Sequence, residues 1–134
     1  MFGKKDARKK LIGRTALKLY MAVLAGDKRE LHELMTGPES DDDGTAGALM
    51  LFWAIAREVP SVRARLGEAA AATDPKYQRA FNTSLIVIDT GNQHAFQPES
   101  AVAQMLFIGT ILAIIANDPE GSAALEDAIS VVLN

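Results

Sequence analysis

Between Ala101 and Ala116 the chain runs for sixteen residues without a charge, and only Gln104 and Thr110 are polar. As a helix this run spans about 24 Å, short of the roughly 30 Å hydrocarbon core of a bilayer. A helix with no polar face must be surrounded, by its own bundle or by a second subunit. Pro98 suits the first helical position of this segment, and Asn117-Asp118-Pro119 reads as the turn that ends it. The stretch near 98–117 is therefore expected to be a central apolar helix, and the rest of the chain has to supply its neighbours.

Those neighbours read as helices. Ile12, Ala16, Leu19, Tyr20 and Val23 fall on one stripe at helical spacing, from about Asp6 to a stop at Gly26. Asp27 followed by Glu30 is a capping box for a short second helix, with Leu31, Leu34 and Met35 on its inner face and Gly37-Pro38 ending it. Asp43 or Thr45 is expected to cap a third helix that turns Leu49, Phe52, Trp53 and Ala56 inward. Pro60 breaks the pattern, and an alanine-rich helix follows from Ser61 to Ala72. Asp74-Pro75 caps the next, whose stripe is Tyr77, Ala80, Phe81, Ser84, Leu85 and Ile88, ending at Gly91. Leu125, Ala128, Ile129 and Val132 mark the last. The β-branched run at Leu85 to Ile88 also fits a strand, but it lies inside a continuous helical stripe. The turn at Leu24-Ala25-Gly26-Asp27 resembles the helix pair that opens the cone-shaped barrels of the NTF2-like family. That resemblance implies a curved sheet next, where this chain supplies helices, and no site is carried over from it.

A length of 134 residues fits one domain, and the apolar fraction of 49% is enough to build a core. The reading is an all-α bundle of six or seven helices spanning 1–134, with residues 1–6 as a disordered basic tail. The absence of cysteine excludes disulfides, thiol nucleophiles and thiolate metal sites. Met1 to Lys10 is basic and Leu19 to Ala25 apolar, as in a signal peptide, but Arg14 and Lys18 interrupt the apolar part. A cytoplasmic location is expected.

Motifs for chemistry fail on their own terms. Asp89-Thr90-Gly91 follows an apolar run as in an aspartic protease, but that chemistry needs paired carboxylates after strands. Glu39, Asp41, Asp43 and Gly44 fit the opening of a calcium loop whose final bidentate glutamate would be Met50. His32-Glu33 begins a zincin motif that has Thr36 where the second histidine belongs, and His94 lies far away. Gly44-Thr45-Ala46-Gly47 lacks the lysine of a phosphate loop. No catalytic residue, cofactor or metal is expected.

The charges remain. The net charge of −3 conceals a division. The first 36 residues hold nine cations against four acids, whereas after Arg79 there are six acids and no cation. Lys4, Lys5, Arg8, Lys9 and Lys10 crowd the start of the first helix, where they oppose its dipole. Lys10, Arg14 and Lys18 continue at i, i+4 and i+8, opposite the apolar stripe. The expected function is a non-catalytic protein-interaction or assembly module. Its partner, a second copy or another protein, would meet Lys4, Lys5, Arg8, Lys9, Lys10, Arg14 and Lys18. Nucleic acid is the alternative partner for these cations, above all if Arg57, Arg63, Arg65, Lys76 and Arg79 extend the ridge. An anionic membrane surface is a further one.

Overall fold

The computed structural model describes the backbone of residues 2–37 and 42–134 and the side chains of 7–37 and 43–134. Among these residues there are seven α-helices and no strand. They are α1 (Phe2–Leu24), α2 (Lys28–Thr36), α3 (Asp42–Glu58), α4 (Pro60–Ala72), α5 (Gln78–Thr90), α6 (Ala101–Ala116) and α7 (Pro119–Leu133). Single 3₁₀ turns precede α5 and follow it. The stretch 1–6, expected as a tail, is helical from Phe2 onward.

Several helix ends follow directly from single residues. Asp27 Oδ1 accepts from the Glu30 backbone N–H at 3.0 Å and opens α2. Gly91, at φ +75°, closes α5 in the left-handed conformation that glycine adopts without strain. Asp118 accepts from the Gly121 N–H at 2.8 Å and from Ser61 Oγ at 2.6 Å, so it caps α7 and ties it to α4. Three ends differ from the sequence reading. Asp74 caps the 3₁₀ turn Pro75–Tyr77 rather than α5, which begins at Gln78. Asp43 and Thr45 lie inside α3 rather than capping it, and the residue before Asp42 is outside the described set. Pro98 does not begin α6. The cap is Ser100, whose Oγ accepts from the Ala103 N–H at 3.1 Å. The reason lies one residue earlier. Glu99 reaches back to accept from the N–H groups of Arg79 at 2.6 Å and Ala80 at 2.8 Å, which no local side chain caps. That contact keeps the segment at Glu99 out of the helix.

α6 is the hub of the bundle and packs against each of the other six helices. Phe107, Ile108, Ile111, Leu112 and Ile115 are completely buried. Phe107 meets Phe81 of α5 edge to face, with centroids 5.4 Å apart. Enclosure is nevertheless incomplete. Val102 is 53% and Leu106 41% exposed, so the helix's own bundle does not by itself surround it. The open side faces α2, a nine-residue helix with no buried residue of its own. α2 reaches α6 through Leu31, whose Cδ2 lies 3.4 Å from where a Cβ on Gly109 would stand.

α1 crosses α3 and α7 at glycines. A Cβ on Gly47 would overlap Ile12, and one on Gly44 would lie 2.6 Å from Thr15 Oγ1. A Cβ on Gly13 would lie 2.9 Å from Leu133. These positions let the helix axes approach closely, because interaxial distance is set by the side chains at the contact.

Two outcomes follow for stability, both readable by chemical denaturation. Ile111→Ala is expected to cost about 2–5 kcal/mol as a core cavity, and Leu106→Ala less than about 1 kcal/mol. Gly47→Ala is expected to destabilise by about 1–3 kcal/mol through overpacking against Ile12, despite alanine's better helix propensity. Gly67→Ala in α4, where a Cβ would meet only Arg63 Nη1 at 3.2 Å on the guanidinium that Asp89 holds, should instead stay within about 1 kcal/mol of neutral, the gain in helix propensity offset by the displacement of that group.

Candidate functional site

The buried side of α1 fixes its outer side. Ala16, Leu19 and Tyr20 are in the core, so the opposite arc faces solvent. Lys10, Arg14 and Lys18 are exposed there. The same arc carries Leu17, Met21 and Leu24, with Met21 56% and Leu24 53% exposed. These six residues sit at i, i+4, i+7, i+8, i+11 and i+14, within one side of the helix and over about 21 Å of its length. The face is cationic toward the N-terminus and apolar toward the C-terminus.

The other expected contact residues divide. Arg8 is exposed but lines a cleft of about 530 Å³ with Trp53, Phe96, Gln93 and Gln104. Lys9 is exposed about 100° round the helix from Lys10. The side chains of Lys4 and Lys5 lie outside the described residues. Three of the seven therefore form the ridge proper.

Three of the cations farther along the chain, Arg63, Arg79 and Lys76, are engaged locally. Arg63 donates through Nε and Nη2 to both oxygens of Asp89 at 2.8 Å, the only ion pair among the described residues. Arg79 Nε donates to the Gln97 carbonyl at 3.1 Å. Lys76 lies 5.3 Å from the centre of the Tyr77 ring. Arg57 packs where a side chain on Gly91 would stand. Arg65 belongs to α4, beside a different groove.

That groove, of about 910 Å³, runs along the open side of α6. Met105, Leu106, Gly109, Ala113 and Ile114 form its floor, and Asp27, Lys28, Arg65 and Glu68 stand on its walls. A second groove of about 500 Å³ separates α3 from α7. Its apolar part is Leu51, Ala124, Ala128, Val131 and Val132, and its charged residues are Glu58 and Asp127. Val131 is 77% exposed. Glu120 and Glu126 are also exposed on α7.

The titratable groups with displaced pKa values serve the fold. The Arg63 guanidinium holds the Asp89 carboxyl below the ordinary range. The Ser61 hydroxyl and the Gly121 N–H do the same for Asp118, against the opposing effect of its burial. Desolvation pushes Glu99 upward, but the N–H groups it accepts from outweigh that and leave it lowered. Asp89 is thus a helix-borne partner of an arginine. His32 and His94 are both exposed, on different elements, and no three His, Asp or Glu side chains converge among the described residues. Of the acidic loop, Glu39 and Asp41 lie outside the described residues. Among the described residues no single helix is long and apolar enough to cross a membrane; α6 and α7 reach that length only together, and they are bent by 109° to each other.

No protein-family model, curated protein or solved structure matches the chain.

Leu17, Met21 and Leu24 were not part of the sequence-based site. Their i, i+4, i+7 spacing was the available signal, a second apolar stripe on a helix whose first stripe already filled the core.

The lowered carboxyls give the stability a defined pH dependence. A carboxyl with a lower pKa folded than unfolded contributes stability that is full above its unfolded value, near 4, and is lost as pH falls through the folded value. Thermal unfolding followed by circular dichroism should show a falling midpoint below about pH 4. Asp118→Asn and Glu99→Gln should each start from a lower midpoint at neutral pH and fall less steeply.

Proposed function

We propose that this protein is a non-catalytic assembly module that associates with further copies of itself through the outer face of α1. The observation that carries this reading is a ridge of exposed cations without an acidic partner among the described residues. It lies on a helix clamped at glycines, beside exposed Leu17, Met21 and Leu24. A rigid face loses little conformational freedom on binding. Its sign suits an acidic partner, and the same chain holds six acids and no cation after Arg79. The local engagement of Arg63, Arg79 and Lys76 speaks against a long basic track of the kind nucleic acid occupies.

Association of this kind is expected to weaken with salt, since exposed charges are screened within about 8 Å at physiological ionic strength. Sedimentation at two salt concentrations should show larger species at low salt. Arg14→Glu with Lys18→Glu should remove them without lowering the thermal midpoint. Salt-sensitive binding to a generic duplex or to anionic vesicles, in a protein that stays monomeric, would assign the ridge to nucleic acid or to a membrane surface instead.

A further inference from the structure

We infer that the outer face of α1 in one copy seats in the groove between α3 and α7 of the next. This rests on the self-association proposed above and names its receiving site. The argument is complementarity of two kinds. The α1 face presents Arg14 and Lys18 one turn apart and no acid, with Leu17 and Met21 alongside. The groove presents Glu58 and Asp127 and no cation, with Leu51 and Val131 among its apolar residues. By contrast, the α6 groove carries two acids and two cations, so it offers the ridge no net attraction. The scale also agrees. Leu51 to Glu58 spans about 10 Å of α3, and Arg14 to Met21 covers the same length of α1. Seated in this way, Leu17 and Met21 rest on Leu51 and Val131, while Arg14 and Lys18 face Glu58 and Asp127.

The two surfaces share no residue, so each copy offers both at once. Such a contact is heterologous: it closes into a ring where the rotation allows and otherwise continues as a filament. Every copy added meets the same unfilled groove.

A charge swap tests the pairing. One variant carries Arg14→Glu and Lys18→Glu, the other Glu58→Lys and Asp127→Lys. All four positions are exposed, so the substitutions leave the core untouched. Each variant alone sets like charges against each other and should associate about tenfold or more weakly than the wild type by sedimentation equilibrium at low salt. Mixed in equal amounts, they present a reversed ridge to a reversed groove and the wild-type ridge to the wild-type groove. Large species should then return. A milder pair, Glu58→Gln with Asp127→Asn, should flatten the salt dependence and covers the case in which lysines perturb folding. If the ridge variant dissociates but the groove variants associate like the wild type, or if mixing restores nothing, the assignment of the groove is overturned and self-association through α1 stands. If the wild type is monomeric at every salt and concentration, both are overturned.

Discussion

The close crossing of α1 over α3 and α7 is the constraint on which the other surfaces depend. Gly44 and Gly47 on α3 admit Thr15 and Ile12, and Gly13 on α1 admits Leu133. With side chains at these points either the opposing Thr15, Ile12 and Leu133 side chains shift or the axes separate. Separation would reopen the core around Ala16, Leu19 and Tyr20, where tight packing leaves little slack. The same crossing decides which arc of α1 faces outward. The cations and apolar residues of that arc are positioned by contacts on the far side of the helix.

Around this crossing, α6 acts as a common wall for every other helix, and a few polar contacts set the order in which they meet it. Asp118 joins the start of α7 to Ser61 of α4, and Glu99 joins the approach to α6 to the start of α5. Each satisfies backbone donors that a helix start leaves without partners. Burial has its own imperfections. Trp53 Nε1 and Ser84 Oγ are enclosed without a hydrogen-bond partner, although the Trp53 ring packs edge-on against Phe96 at 5.2 Å.

Much of this was legible in the residues, and the failures have physical causes. Helical periodicity is a local property, so the core stripes of α1, α3, α5 and α7 could be read directly. So could the cap at Asp27, the turn at Asp118 and the stop at Gly91, where the side chain or glycine acts within four residues. Pro98 misled because a proline before a helix fits several positions equally well, and the competing contact from Glu99 acts 19 residues away. The exposure of Leu106 was hidden for a different reason. A wholly apolar helix shows that neighbours are needed but not how far they extend, and α2 is too short to close the side it faces. The ridge was visible because charge spacing is also local. The apolar residues beside it, and the acidic groove assembled from α3 and α7, depend on which faces the bundle leaves outside.

The three glycines at the α1 crossing also bear on ancestry. A distant descendant could exchange most core residues for others of similar volume, and its solvated charges could drift freely. Gly13, Gly44 and Gly47 have less latitude, because a larger residue there requires a side chain on the opposing helix to shift. Kinship with this chain would therefore be written less in its charges than in the places where it has no side chain at all.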